Sequence, residues 1–548
     1  MSHTLTGGEA VVQSLKQAGI DTVFGIPAVH NLDIYDALRD ESAIRHVMAR
    51  HEQGAGFMAD GYARARGDVG VILSSSGPGA GYAVVPLAMA TTDGSPVLHL
   101  TAEVARNLQG RQKGTLHEGV DHLGLMKGCS LRARRVLDAS DIAHTIYEQV
   151  NALRTGPAGA VSLEYPFDLL CDSAEIDVPA YQDVSVKRQP DPEQIAAATA
   201  CLAAAQRPVI WAGGGVIAAD ATDELRRVAE VLRCPVLNSV MGQGAFAADH
   251  PQHLGNTAME ADVRRLTGGS DAMLAAGTRL RGLDTAMWQV PVPETLVQID
   301  ADAGQIGRNV PASLGVHADL RPALAQLAAG LEKAGPGAIA SQWELSDIAR
   351  VKQDTWHGAR TRAPGEMQML EALRAAIPRD ALIYCDRTSV AYWASRFMPV
   401  YEPRTFFYGM GYATLGCALP SAIGGKVARP DRHVVTIVGD GGFMYTCAEL
   451  ATAIQFGIHI VILLFNDDCY AAVKDIQSRR FGGRTMAEKL VNPDFQALAR
   501  SFGLDALKVS EVDEVGPALK KIFSRKLERS VLVELPFAYE QPEAKVKG

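Results

Sequence analysis

The sequence predicts an α/β protein built from three doubly wound parallel-sheet domains, and three observations carry that prediction. Short apolar strands alternate with helical patterns along the chain, which is the signature of parallel sheets covered by helices. At 548 residues the chain exceeds what one core can organise. Its two ends also share an order of elements: a helix of small side chains, a strand, a Gly-rich turn, another helix.

In the first unit, expected over 1–182, residues 9–18 place Val11, Val12, Leu15 and Ala18 on one helical face. A buried strand at 22–25, a turn containing Pro27 and a helix over 31–39 follow. The strand at 44–48 leads into Arg50-His51-Glu52. After it, Gly54, Gly56 and Gly61 lie in a helix of very small residues, which must pack closely because each glycine costs up to about 1 kcal/mol in a helix interior. Strands at 69–73, 96–100 and 160–164 complete the unit, with the turn Ser76-Gly77-Pro78-Gly79 after the first of them. The second unit, expected over 194–335 after a Pro-containing linker, opens with a helix at 195–205. The strand 208–212 then runs into Gly213-Gly214-Gly215, and further strands are expected at 272–276 and 296–299. A Gly/Ala/Pro-rich linker separates it from the third unit, expected over 355–548, with a small-residue helix at 413–428 and a strand at 434–438.

Composition narrows the function classes. Hydrophobic content of 47% with 21% charged residues is ordinary for a globular enzyme. The net charge of -9 argues against a nucleic-acid or anionic-membrane partner. The eight cysteines are scattered without a CxxC pair, as structural thiols in a reducing compartment would be. The opening MSHTLTGGEA has no apolar signal core and no apolar run is of membrane-spanning length, so a cytoplasmic location is expected.

The most informative stretch is 434–470: an apolar strand, Gly439-Asp440-Gly441-Gly442, one helix, then a second apolar strand ending in Asn466-Asp467-Asp468. Two carboxylates, Asp440 and Asp467, stand at the ends of parallel strands, where ligands bind in open sheets. The glycines allow close backbone approach and open a helix N-terminus, which favours phosphate. Two hard oxygen ligands beside it suggest a magnesium-bridged diphosphate. Taken alone the glycine run is equally a plain strand-to-helix turn. Glu52 is either a helix N-terminal acid or a semi-buried carboxylate able to share a proton. Among fourteen histidines, His30 is singled out by its strand-end turn and His117 by its loop. Gly213 to Gly215 would suit a nucleotide, although they do not spell the dinucleotide fingerprint.

These pieces resemble thiamine-diphosphate-dependent enzymes. Gly439-Asp440-Gly441 with Asn466-Asp467 is similar to their diphosphate-magnesium motif, while FGIP (24–27), RHEQGAGFMADGYAR (50–64) and SGPG (76–79) resemble the opposite end of that family. RPVIWAGGG, VQIDAD and GYATLGCALPSAIGGKVARPDR extend the likeness over nearly the whole chain. It is nearest to the acetolactate synthase, benzoylformate decarboxylase and benzaldehyde lyase group.

The resemblance implies a pyrimidine-binding, a central and a diphosphate-binding domain, with the site shared between subunits of a homodimer at minimum and a homotetramer as the expected assembly. It implies thiamine diphosphate and Mg2+, decarboxylation and carboligation of a 2-oxo acid or aldehyde by ylid and enamine chemistry, and Glu52 bonded to the aminopyrimidine. Asp440, Asp467 and the Cys469 carbonyl match the metal ligands, and Leu415 the apolar wedge. Gly441, Gly442, Thr388 and Ser389 match the diphosphate cradle, Pro27 and Gly77 further cofactor contacts, and His30 and His117 groups over the reacting carbon. The family's Asn-Asn is Asn466-Asp467 here. The Met, Arg and Trp of acetolactate synthases stand opposite Ala472, Lys474 and Ile476, which widens the expected pocket; FAD is possible, since some members of the family carry a flavin, but is not expected. A simple 2-oxo acid decarboxylase or 2-hydroxy ketone lyase is the alternative activity. A nicotinamide or flavin oxidoreductase centred on Gly213 to Gly215, or a binding-only relative, are the alternatives of other classes.

Overall fold

Three six-stranded sheets, every one of them parallel throughout, organise the chain. The computed structural model describes residues 3–184 and 186–542; residues 1, 2 and 543–548, which the expected outer units include, lie outside the described residues. The first sheet runs in space Arg45–Met48, Thr22–Gly25, Gly70–Ser74, Val97–Glu103, Ala160–Pro166, Arg132–Arg135. The third runs Phe406–Tyr408, Leu382–Cys385, Val434–Gly439, Val461–Phe465, Val531–Leu535, Asp505–Lys508. Numbered along their own chain segments, both follow the order 2-1-3-4-6-5, so the likeness seen between the ends of the sequence is a likeness of topology. The central sheet differs. Its order, from His253–Gly255 through Val236–Asn238, Pro208–Ala212, Ala272–Ala276 and Thr295–Asp300 to Leu314–His317, is 3-2-1-4-5-6, the order of dinucleotide-binding folds.

The central strands of all three sheets are buried along their length, as a sheet covered by helices on both faces requires. Most strands absent from the sequence reading are short or carry no apolar pattern, but Val531–Leu535, VLVEL, is five buried residues in the interior of the third sheet. Arg132–Arg135 is an edge strand of four alternately exposed residues, RARR. A two-stranded antiparallel ribbon, His3–Thr6 with Ser173–Ile176, joins the two ends of the first unit. The helix Leu345–Arg362 runs through position 355, with Ile348 in the central core and Ala359 in the core of the third sheet.

The expectation of close packing for the small-residue helix is met in a specific way. Glu52–Arg66 lies against Ala418–Ala428, the helix expected to begin at 413. A Cβ added at Gly61 would meet the Ser421 carbonyl carbon at 2.6 Å, and one at Gly424 the Met58 carbonyl carbon at 2.7 Å. The late start of the second helix has a local cause: Ala413 and Gly416 hold φ of 49° and 80°, so Leu415 sits in a loop, not on a helix. The single helix expected after Val434–Gly439 is three pieces, Asp440–Thr446, Cys447–Glu449 and Leu450–Gln455. Thr446 leaves helical geometry, and its Oγ1 donates to the Gly416 carbonyl at 2.8 Å.

Candidate active site

The carboxyl ends of the first sheet gather the histidines and the glutamate. After Thr22–Gly25 the chain turns through the exposed Pro27, and Asn31 ties the turn by accepting from Ala28 N at 2.7 Å and donating to the Ile26 carbonyl at 3.2 Å. That places His30 in a short 3-10 turn, 8% exposed, with its ring centroid 5.3 Å from that of His117. Burial, then the neighbouring His117, holds the His30 imidazole below its usual range. The Nδ1 atoms of both rings are buried without a hydrogen-bond partner. Gly77 backs His117 so closely that a Cβ there would lie 2.7 Å from its carbonyl oxygen, and Gly77 itself has φ of 58°. Glu52 is the first residue of its helix, and its Oε1 lies 3.3 Å from where a Cβ on Gly79 would stand. Ser75 and Ser76 contribute buried hydroxyls without partners.

The second group stands at the carboxyl ends of the third sheet. Asp440 follows Val434–Gly439 and is 2% exposed; its carboxylate accepts from Gly441 N at 2.8 Å and from Asn492 Nδ2 at 2.7 Å. Burial raises its pKa. Asp467, half-buried beyond the adjacent strand Val461–Phe465, is pushed up to about 6 by burial and then by Asp440. Cys469, two residues beyond Asp467, turns its backbone N–H to both carboxylates. Two acids so placed disfavour each other's ionisation, and this all-oxygen neighbourhood suits a divalent cation.

Around that pair the cradle is built from backbone. Gly441 and Gly442 are buried; a Cβ on Gly442 would lie 2.9 Å from Asp386 Oδ2, and one on Gly441 would strike the Tyr470 ring. Thr388 caps the helix Ser389–Phe397 without a side-chain hydrogen bond, and the buried Ser389 Oγ has no partner. Two helix N-termini thus meet beside the acids, a setting for phosphate oxygens.

Three residues that the sequence reading passed over complete the frame. Asp386, at the end of Leu382–Cys385, accepts from Gly416 N at 2.9 Å and from Arg387 N at 2.7 Å, so it fixes the loop that carries Leu415. Its position at a strand end is the same signal that marked Asp440. Asn492 donates to Asp440, to Asn466 Oδ1 at 3.2 Å and to Asp468 Oδ1 at 3.0 Å. Glu449 reaches from the third unit to the first: its carboxylate accepts from Arg50 N and His51 N at 3.1 Å and from Thr452 Oγ1 at 2.6 Å, directly before Glu52. No sequence signal marks Asn492 or Glu449, because their partners lie far along the chain.

A cavity of about 340 Å³ lies away from both groups, at the switch point of the central sheet. Gly214, Gly215, Gly277 and Asp300 line it together with residues of the outer units. Among the described residues, no helix is long and apolar enough to cross a membrane.

The chain matches three family models in succession: the N-terminal TPP-binding domain of thiamine pyrophosphate enzymes over residues 5–125, their central domain over 195–327, and their C-terminal TPP-binding domain over 386–535. It is 33% identical over 529 residues to an acetolactate synthase of Mycobacterium bovis, covering 93% of this chain and 85% of the relative. Over 539 residues it is 33% identical to a probable acetolactate synthase large subunit of Methanocaldococcus jannaschii, covering 94% and 90%. It is also 32% identical over 529 residues to a probable 2-ketoarginine decarboxylase of Pseudomonas aeruginosa, covering 95% and 92%. The unpartnered hydroxyls, the glycine cradle and the paired acids fit the cofactor that this family binds, and the chain belongs to the thiamine pyrophosphate enzymes.

Proposed function

We propose that the chain binds thiamine diphosphate through Mg2+ and acts on 2-oxo acids by acetolactate-synthase-like decarboxylation and carboligation. The observation that carries this reading is the pairing of Asp440 and Asp467 beside two helix N-termini, one of them glycine-lined, at the ends of neighbouring parallel strands. Asp440, Asp467 and the Cys469 carbonyl would hold the metal; Gly441, Gly442, Thr388 and Ser389 would hold the diphosphate, and Leu415 would set the bend of the cofactor. When bound, the cofactor supplies a nucleophilic carbon and an electron sink for cleavage next to a carbonyl.

Glu52 holds or releases a proton at the aminopyrimidine ring, with Pro27 and Gly77 shaping the contact surface around it. His30 and His117 orient the substrate carboxylate and move protons at the reacting carbon. Burial keeps His30 neutral through the neutral pH range, so it can accept a proton there. The two groups of residues lie on different sheets, and a homodimer that sets the first sheet of one subunit against the third of its partner brings them into one site.

A second reading, decarboxylation of bulkier 2-oxo acids without carboligation, is favoured by Ala472 and Ile476 on the helix Ala471–Arg480. Ile476 is 53% exposed in the single chain, and neither residue fills space as the Met and Trp of acetolactate synthases do. The experiment is a panel of pyruvate, 2-oxobutyrate, branched 2-oxo acids and benzoylformate on protein reconstituted with thiamine diphosphate and magnesium, with carbon dioxide and ligation products both measured. Acetohydroxy acids as products support the first reading; aldehydes alone support the second. Turnover of pyruvate alone sinks the wide pocket, and no turnover at all sinks both.

A further inference from the structure

The loop that carries His117 runs from the last residue of the strand Val97–Glu103 to the first residue of the helix His122–Cys129. Its two ends touch. His122 Nδ1 lies 3.2 Å from Glu103 Oε2 and 2.8 Å from Glu164 Oε2, and all three residues are buried, at 4%, 3% and 0% exposure. Arg135 from the edge strand pairs with Glu164 and stands 3.8 Å from Glu103. Two carboxylates are therefore met by one guanidinium and one imidazole N–H. A buried charge left without a partner is strongly destabilising, so such a cluster admits few alternative arrangements.

Farther out the same loop is tied a second time. Glu118 accepts from Gly114 N at 2.8 Å, from Thr115 N at 3.1 Å and from Thr115 Oγ1 at 3.3 Å. This closes a tight turn around His117, whose φ of 64° is a left-handed geometry that non-glycine residues rarely hold unsupported.

We propose that the Glu103–His122–Glu164–Arg135 cluster is a clasp at the base of loop 104–121 and that, with Glu118 at the tip, it positions His117 against His30. These are positioning residues, acting through His117, and the inference rests on the reading of His117 as a proton-transfer group. The carboxylate and imidazole atoms of Glu103, His122 and Glu164 lie within 4.8 Å of one another, a spacing that would also hold a cation. Arg135 already supplies positive charge there, so the cluster is assigned as a metal-free ionic clasp.

The test is a double-mutant cycle on reconstituted enzyme, with the 2-oxo acid of the panel that is turned over fastest. E118Q and H122Q are each measured in the wild-type and the H117A backgrounds for kcat, KM and pH profile, with thermal midpoints alongside. Displacement of a catalytic group by about 1 Å can cost about a hundredfold, so each variant should lower kcat by about tenfold to a hundredfold, leave KM within about threefold and shift the pH profile. In the H117A background neither should change kcat by more than about twofold. Equal losses in both backgrounds, or no loss in the wild type, overturn the positioning role while leaving His117 in place. Wild-type kcat in H117A alone overturns the reading of His117, and the positioning with it. If H122Q fails to fold, E118Q carries the cycle. A divalent metal found by elemental analysis in excess of the cofactor's magnesium, and lost in H122Q, overturns the metal-free clasp.

Discussion

Glu52 and Asp386 are both carboxylates at strand or helix ends, yet they act in different ways. Glu52 lies beside Gly79 in the first group, where its expected task is proton exchange with the bound cofactor. Glu52→Gln preserves shape and one hydrogen bond, so cofactor affinity measured by calorimetry should stay within about threefold. Turnover should fall by about a hundredfold or more, as removal of a general acid-base group does; unchanged turnover would refute the assignment. Asp386 is fully buried under the Leu415 loop, and burial pushes its pKa up to about 6. A carboxyl raised in the folded state stabilises most fully below its unfolded value, about 4, and that contribution is lost as pH rises through about 6. Wild-type stability should therefore lose this contribution between about pH 4 and 6. Chemical denaturation of D386N across that window should lack it; parallel curves for the two proteins would refute the assignment.

Elements set the spacing that those residues need. The helices Glu52–Arg66 and Ala418–Ala428 can approach only because glycine meets backbone at Gly61 and Gly424. Gly61 faces Ser421 and Gly424 faces Met58, so the helices run antiparallel and their contact locks the first unit against the third, with Glu52 and the Leu415 loop at opposite ends of the pair. Gly424→Ala would drive a methyl group into the Met58 backbone, which cannot swing aside as a side chain can. Overpacking of this kind costs about 1–3 kcal/mol or more, and the denaturation midpoint should drop accordingly. A variant with wild-type stability would show that the two helices separate freely.

On the scale of the molecule, the first and third sheets share the order 2-1-3-4-6-5, and each gathers one group of candidate residues at its strand carboxyl ends. If the two groups join across a subunit boundary, E52Q and D440N, each inactive alone, should complement when mixed and allowed to exchange subunits. Random exchange makes about half of the dimers hybrid, each with one intact site and one doubly defective, so about a quarter of wild-type activity should return. Strictly zero activity in the mixture, with exchange verified by native mass spectrometry, would mean that each chain builds its own site. The central sheet, with its different order and its cavity at the switch point, suits a separate ligand. Visible absorbance of the purified protein tests whether that ligand is a flavin; a colourless protein is expected, because Ala472 and Ile476 replace the residues that accompany flavin in acetolactate synthases.

The sequence by itself determined the α/β class, the central strands and the stretch 434–470 with its two strand-end carboxylates. Each of these depends on local chemistry: apolar runs bury themselves, glycines permit a turn, and a carboxylate at a strand end points to a ligand. Edge strands such as Arg132–Arg135 were illegible because one buried neighbour demands no apolar pattern. The break in the helix after Asp440 depends on Thr446 meeting Gly416, thirty residues earlier in the chain. Only the tertiary structure decided that Glu449 would cap the approach to Glu52, that Asn492 would tie Asp440 to Asp468, and that His122 would clasp Glu103 and Glu164. The reason is physical. Polar side chains take whichever partner burial leaves them, and that partner is chosen by the packing of distant segments, which no local pattern of residues records.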